Sequence, residues 1–301
     1  MRRKLIKQGK GALTISLPKS WIEFNKLKGG QEVEVIEKDN SLLVRSDFHQ
    51  NISKTNLKLD IETSMAYRSL IGALYRGGYD VIKVNFSDKK IIASLQKAVD
   101  SLYGFEIFDI NEKSCVIKSI YGDESTDIES HVRRIIYTIG TMQSILNKDV
   151  KDKQYNSLEE MTQFHNNVLK QRDLIIRIIR EQKLLDNKHF PYHNIVTSLW
   201  SIARAYYYLY KNMKTSKNCP SKSFELLEKT EILFKKFYGA LNNLELSDYI
   251  KRNLEYQKMR DLALEILKDK KESSIMSSFC LNIIFSIQHS DSSIFLLNHE
   301  D

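Results

Sequence analysis

The residues of this chain most able to do chemistry are the lysines and arginines concentrated at its N-terminus. Residues 1–28 hold eight Lys or Arg against one acid, Glu23, a net charge of +7 in a 301-residue chain whose total is +8. Seven of these cations are the candidate contacts to nucleic-acid phosphates: Arg2, Arg3, Lys4, Lys7, Lys10, Lys19 and Lys26. Clustered cations release counterions when they neutralise phosphates, so this segment is predicted to bind double-stranded DNA. The alternatives are a solvated basic face and, for Arg2 and Arg3, a frayed terminus.

Histidines at metal-ligand spacing are the next candidates. His189 and His193 are four residues apart, but Pro191 between them predicts the start of a helix, which would separate the two faces. His165 is isolated on a polar helix and is expected to be solvated.

The sequence contains no pattern typical of a disulfide or metal site, an enzyme active site or a membrane segment. Cys115, Cys219 and Cys280 are far apart and lack metal-ligand spacing, so reduced, mostly buried thiols are expected. No Ser/His/Asp set, P-loop, nucleophile elbow or zinc-protease motif occurs, and we expect no enzyme activity. A charged N-terminus and the lack of ~18 continuous apolar residues predict no signal peptide, no membrane insertion and a cytoplasmic protein.

The elements that position the basic residues are short. Alternating residues predict strands at 5–6, 13–17, 32–36 and 42–44, with a helical turn beginning at Pro18. So small a unit buries too little surface to be stable alone, which predicts pairing with a second copy.

The patterns of residues 48–301, together with the N-terminal strands, predict a multi-domain α+β protein. A linker is predicted at 48–56, followed by an α/β module with helices at 57–76 and 89–103 and strands at 81–86, 105–110 and 114–120. A 3.6-residue apolar period then predicts six helices, at 128–146, 158–185, 192–213, 221–244, 247–268 and 274–297. They form an antiparallel bundle or two three-helix units in tandem. The run Tyr206–Tyr210 could stack on bases, but its helical spacing favours core packing with hydroxyls at the rim.

Two stretches resemble known families. QGKGALTISLPKSW (8–21) with LKGGQEV (27–33) resembles the AbrB/SpoVT-type swapped-hairpin DNA-binding domain. IGALYRGGYDVI (71–82) and LYGFEI (102–107) are similar to the middle segment of archaeal PhoU-like phosphate-uptake regulators. The order of the parts matches over the full length.

The resemblance implies three domains: 1–47, an AbrB-like β-barrel for DNA binding and dimerisation; 55–122, the α/β module; and 123–301, a PhoU-like bundle of two three-helix repeats. It implies a homodimeric transcriptional regulator of phosphate uptake or phosphate signalling, linked to a phosphate-transport component. The alternative is an adaptor that binds a phosphate transporter or kinase without specific DNA binding.

The resemblance also bears on metal binding. PhoU-like repeats bind metal clusters through Glu-x-x-x-Asp patterns, whose carboxylates share one helix face. The corresponding residues here are Glu159 with Gln163 and Gln257 with Asp261, so each pair has lost a carboxylate. We therefore expect no cofactor and a hydrated helix face, with a bound metal ion as the alternative.

Overall fold

The chain forms two compact units. The computed structural model describes residues 1–9, 11–38, 40–46, 52–59, 64–120, 127–182, 188–216, 219–241 and 244–299. The N-terminal unit is Met1–Ser53, and the C-terminal unit is Lys54–Asp301.

The N-terminal unit consists of two hairpins and one short helix. Its elements are β1 (Ile6–Gln8), β2 (Ala12–Thr14), α1 (Lys19–Phe24), β3 (Glu34–Lys38) and β4 (Ser41–Arg45). β1 pairs with β2 and β3 with β4, and both pairs are antiparallel. The four predicted strands and the helical turn are therefore present, with bounds that differ by a few residues. Pro18 precedes α1, and its carbonyl accepts hydrogen bonds from the Trp21 and Ile22 N–H groups. The described residues form two separate two-stranded sheets and no closed barrel.

The N-terminal unit has no core of its own. None of its described side chains is buried. Between residues 2 and 46, seven large apolar side chains are 53–74% exposed: Leu5, Ile6, Leu13, Ile15, Phe24, Val35 and Leu42. A single copy therefore leaves unburied most of the surface that would stabilise it.

The C-terminal unit begins with a four-stranded sheet covered by two helices. The elements are β5 (Lys54–Leu59), α2 (Ser64–Arg76), β6 (Val81–Phe86), α3 (Ile91–Asp100), β7 (Phe105–Phe108) and β8 (Ser114–Ser119). The strand order is β5-β6-β8-β7, in which only the β5–β6 pair is parallel. One face packs on the helices because alternate residues of β6 point inward: Ile82, Val84 and Phe86 are buried, whereas Lys83 is exposed.

The end of the predicted linker and the start of the following helix are wrong, whereas residues 48–51 of that linker lie outside the described residues. Residues 54–59 form strand β5, and the helix begins only at Ser64. Thr55, Leu57 and Leu59 alternate with polar residues and lie opposite β6 in parallel register. This edge strand has only three inward-facing residues, so pairing with β6 stabilises it. The apolar residues of the segment alone are too few to predict a strand.

All six predicted long helices are present. They are α4 (Ile128–Asp152), α5 (Leu158–Gln182), α6 (His189–Ser216), α7 (Ser221–Gly239), α8 (Leu246–Lys268) and α9 (Ser274–Asn298). The largest differences from prediction are at two ends: α4 continues to Asp152, after which Lys153 takes a left-handed conformation with φ 54°, and α7 stops at Gly239. α6 extends three residues beyond its predicted bounds at each end, and residues 183–185 of the predicted α5 lie outside the described residues.

The helices pack as two groups of three. The most extensive contact joins α6 to α9, while α4 and α5 pack on α6 much as α7 and α8 pack on α9. One continuous apolar core runs through both groups. No helix among the described residues is both long enough and apolar enough to cross a membrane.

The tyrosine run contributes to this core, but not as expected at its polar ends. Tyr206 and Tyr210 are buried, and their hydroxyls bond inside the bundle rather than at its rim. The Tyr206 hydroxyl accepts a hydrogen bond from Gln143, and the Tyr210 hydroxyl donates to Asp149 at 2.5 Å. Burial, with the Asp149 bond, raises the pKa of Tyr210 to about 12.

The cysteines are free thiols, as expected. Cys115 and Cys280 are buried and Cys219 is half-buried. Burial raises the pKa of Cys115 and of Cys219 to about 11, which keeps both thiols protonated at neutral pH.

Candidate nucleic-acid interface

The β1–β2 hairpin displays the centre of the basic cluster. Lys7 lies in β1 opposite Leu13 of β2, and both side chains are exposed. Gly9 and Gly11 flank the turn with φ values of 66° and 93°, a left-handed conformation that glycine adopts at little cost. The two glycines thus allow a tight connection. Lys10, the predicted contact between them, lies outside the described residues.

The cations before the hairpin are available for a ligand. Arg2, Arg3 and Lys4 lie in the stretch that leads into β1, and all three are exposed. Neither they nor Lys7 form an ion pair with a described residue; the single pair among the described side chains of this unit joins Lys19 to Glu23. Four cations within six positions therefore repel one another without internal compensation.

Lys19 also remains available. Its Nζ lies 3.7 Å from Glu23 Oε1, one turn along α1, and the two side chains are 89% and 66% exposed. An ion pair so fully hydrated contributes little stability, so exchanging it for a phosphate contact costs little.

Lys26 holds a conformation that usually belongs to glycine. It follows the α1 C-cap Asn25 with a φ of 52°, and the next residue, Leu27, donates its N–H to the Ile22 carbonyl at 3.0 Å. A left-handed non-glycine residue costs about 1 kcal/mol. A cation therefore occupies this exposed helix end despite a backbone penalty.

The predicted set omits one cation and is bounded by acids. Lys28 is exposed and follows Lys26 closely, so proximity alone could have added it. Beyond it, Glu32, Glu34 and Glu37 are exposed, and the last two lie on the β3–β4 hairpin. The first hairpin and α1 thus carry the positive charge, while β3 carries negative charge.

The metal candidates are not assembled into a site. Glu159 and Gln163 are exposed on α5, and Gln257 and Asp261 are exposed on α8. The part of the chain that the structure describes contains no group of three or more His, Cys, Asp or Glu placed to hold a metal ion.

The prediction for His165 is wrong, because neighbouring aromatic rings from α6 enclose it. Its ring centroid lies 4.5 Å from that of Tyr207 and 4.7 Å from that of Trp200, and its Nε2 is buried without a hydrogen-bond partner. Burial lowers the pKa of His165, and the charge of Arg204 acts in the same direction. His165 is therefore neutral at pH 7.

The expected separation of His189 and His193 is also wrong. Both lie in α6, which begins at His189, and Pro191 falls in its first turn, where an N–H is not needed. They therefore share a helix, but no third metal ligand accompanies them among the described residues.

Comparisons of the chain with protein families, with curated proteins and with solved structures found no match. The function is therefore argued from the chemistry of the site.

Proposed function

We propose that the protein is a DNA-binding transcriptional regulator that acts as a homodimer paired through its N-terminal unit. The observation that carries the proposal is a strongly cationic segment, residues 1–28, whose described basic side chains are exposed and almost unpaired. In addition, none of the described side chains of the N-terminal unit is buried in the single chain.

A second copy is the occupant that fits the apolar surface. Full burial of a Leu, Ile, Val or Phe side chain contributes about 1.5–3 kcal/mol. The seven exposed apolar side chains therefore provide a driving force for association when a second copy covers them. Each hairpin pairs only within itself among the described strands, so open sheet edges are available too. The swapped-hairpin barrel of the resemblance meets both needs.

Dimerisation also doubles the positive charge presented to one ligand. Two copies of residues 1–28 carry a net charge of twice +7. Duplex DNA carries one phosphate per about 1.7 Å of axis, so one duplex can engage both copies. The only helix among the described residues of this unit, Lys19–Phe24, has six residues and is too short to serve as a recognition helix. Sequence preference would then come from arginines in a groove and from duplex shape.

The C-terminal unit is the regulatory part in this proposal. Its two packed groups of three helices support the two-repeat bundle that the resemblance to PhoU-like regulators implies. The connection to phosphate uptake rests on that resemblance alone. In this mechanism a signal received by the bundle alters how the two basic segments reach DNA together, which changes affinity through effective concentration.

The test is charge reversal at three positions: Arg3→Glu, Lys7→Glu and Lys10→Glu in one full-length variant. We expect loss of binding to duplex DNA and a shallower dependence of log K on log salt, by about 0.9 for each phosphate that the variant no longer neutralises. The matched control reverses three exposed lysines of the C-terminal unit, Lys97, Lys113 and Lys258, which gives the same net charge.

The control distinguishes local contact from total charge. Equal loss of binding in both variants means that only total charge matters, and the proposed interface is then wrong. Weak binding of the unmodified protein with little change on reversal favours the adaptor that binds a transporter or kinase.

A further inference from the structure

Three arginines from two helices converge on one carboxylate inside the C-terminal unit. Arg68 Nη2 donates to Asp173 Oδ2 at 2.7 Å, and Arg76 Nη1 donates to Asp173 Oδ1 at 2.9 Å. Arg172, beside Asp173 on α5, donates to Oδ1 from Nε at 3.0 Å and from Nη2 at 2.6 Å. We call these four residues the arginine cluster.

The charges of the arginine cluster do not balance. Three guanidinium groups face one carboxylate, which leaves a net charge of +2. Asp173 is fully buried, and no other described carboxylate forms an ion pair with these arginines. Burial lowers the pKa of Arg172, an effect that Asp173 opposes and that the charges of Arg76 and Arg68 reinforce. Like charges in a partly buried place are costly unless an anion compensates them.

Hydrogen-bonding capacity is also in excess. Three guanidiniums carry fifteen N–H donors between them. Asp173 accepts four hydrogen bonds from them, and Arg68 Nε is buried without a partner among the described residues. The arginine side chains are 20%, 27% and 16% exposed, so a small solute can reach the remaining donors from solvent.

Gly72 keeps the arginines close to the helix backbone. It lies one turn from Arg68 and one turn from Arg76 on α2. A Cβ at this position would lie 2.4 Å from Arg68 Nη1 and 3.3 Å from Arg76 Nη1. A larger residue would therefore push the Arg68 guanidinium away from the cluster.

We propose that the arginine cluster binds a doubly charged phosphate group, as inorganic phosphate or as a phosphomonoester. Its charge cancels the net +2, and the planar guanidinium fork matches two oxygens of such a group. The site is built by α2 and α5 and does not depend on whether the N-terminal unit binds DNA.

Trp200 provides a direct reporter. The Arg172 guanidinium lies over its ring, 5.1 Å from the centroid. The chain has two tryptophans, so Trp21→Phe leaves Trp200 as the sole tryptophan of the full-length protein. Titration with inorganic phosphate is expected to change its fluorescence saturably, while chloride at equal ionic strength does not. An identical response to chloride overturns the proposal.

Variants assign the signal to the cluster. In this background Arg76→Ala is expected to weaken phosphate binding by about tenfold to a hundredfold, as for loss of a charge-assisted hydrogen bond. Asp173→Asn removes the competing carboxylate and is expected to tighten binding. The control, Lys97→Ala with Lys258→Ala, removes two exposed lysines of the C-terminal unit outside the cluster and should leave affinity unchanged.

Arg76→Ala and Asp173→Asn are expected to change phosphate affinity in opposite directions, which distinguishes binding at the cluster from loss of structure. Similar weakening by Arg76→Ala and Asp173→Asn means that the α2–α5 interface was disrupted, and the proposal then fails. It also fails if the Lys97 and Lys258 variant weakens binding as much as Arg76→Ala does. Should Arg76→Ala not fold, Arg76→Lys keeps the charge but loses the fork, and it is expected to weaken binding by a smaller factor.

A second titration identifies the source of the phosphate. Adenosine 5′-monophosphate that binds more tightly than inorganic phosphate assigns the site to a phosphomonoester. Equal or weaker binding assigns it to inorganic phosphate, and saturable binding of neither overturns the site.

Discussion

The two units use the same basic residue types in opposite ways. In the N-terminal unit, Arg2, Arg3, Lys4 and Lys7 are exposed and unpaired among the described residues. In the C-terminal unit, Arg252 is buried, and its Nη2 lies 2.5 Å from Asp291 Oδ1. The units differ in how these cations are placed: Arg252 has a buried acid beside it, whereas the four N-terminal cations have none among the described residues.

Apolar residues show the same contrast. The C-terminal unit encloses two apolar cores, whereas the N-terminal unit encloses none among its described residues. The C-terminal unit should therefore be stable as a single chain, while the N-terminal unit should depend on protein concentration.

The largest expected effect comes from the buried acid of the bundle. Asp291→Ala leaves Arg252 and Tyr256 without the carboxylate that both contact. Loss of one partner from a buried pair costs about 3–5 kcal/mol. We expect the free energy of unfolding, measured with urea, to fall by this amount at every protein concentration.

The matched control is Asp261→Ala, an exposed acid of α8. It should change the free energy of unfolding by less than about 0.5 kcal/mol. Equal effects of the two variants would show that Asp291 is not the buried partner described here.

A change in the apolar surface of the N-terminal unit should act on association. Leu13 is 61% exposed, and Leu13→Asn is expected to raise the dimer dissociation constant about 100-fold, because each copy loses about 1.5 kcal/mol of burial. Sedimentation velocity over a range of concentrations measures this. Urea unfolding of the bundle should not change.

Leu254→Asn is the matched control, since Leu254 is similarly exposed on α8. If Leu254→Asn dissociates the dimer and Leu13→Asn does not, the dimer contact lies on the helical bundle. Dimerisation through the N-terminal unit would then be wrong.

A smaller effect is expected from His165. Its folded-state pKa lies below its ordinary value of 6.5 because the ring is buried, so the unfolded chain takes up the proton first as pH falls. Stability is therefore present above pH 6.5 and is lost as pH falls toward the folded-state pKa, by at most about 1.4 kcal/mol per pH unit. His165→Phe keeps the stacking and should flatten this part of the profile of unfolding free energy against pH.

His193→Gln tests whether the effect is specific. His193 is exposed on α6, and its loss should leave the slope below pH 6.5 as it was. If His165→Phe retains the full slope, another group is responsible for the acid sensitivity.

The smallest effect is expected at Lys26. Lys26→Gly and Lys26→Gln both remove one charge, but only glycine relieves the left-handed conformation. We expect both to weaken DNA binding equally, by about threefold for each copy at about 0.3 M salt, and to lower the salt slope by about 0.9 for each copy. Unequal affinities would mean that the backbone conformation, not the charge, affects binding.

The sequence predicts elements well where a local period is strong. The six long helices follow from apolar residues such as Ile135, Ile139 and Met142, which recur on one face. Strand β5 could not be predicted in this way because its local sequence has few apolar residues. Its strand conformation is stabilised by pairing with β6. Arg2, Arg3, Lys4 and Lys7 are exposed, and their contact with DNA stays a prediction.

Sites built from distant residues could not be predicted in the same way. His165 has polar neighbours in sequence, Asn166 and Asn167, while the rings that enclose it come from α6. The arginine cluster joins residues about a hundred positions apart. One local signal did exist, since Arg68, Gly72 and Arg76 recur every four residues along one face of α2.

The distance in sequence between Asp173 and the two arginines of α2 has a consequence for folding during synthesis on the ribosome. Asp173 follows Arg68 by 105 residues and Arg76 by 97. At a ribosomal rate of about 5–20 residues per second, α2 waits roughly 5–20 seconds for its carboxylate. During that interval the nascent chain displays two bare guanidiniums, and the α2–α5 interface closes only when the second helix of the bundle emerges.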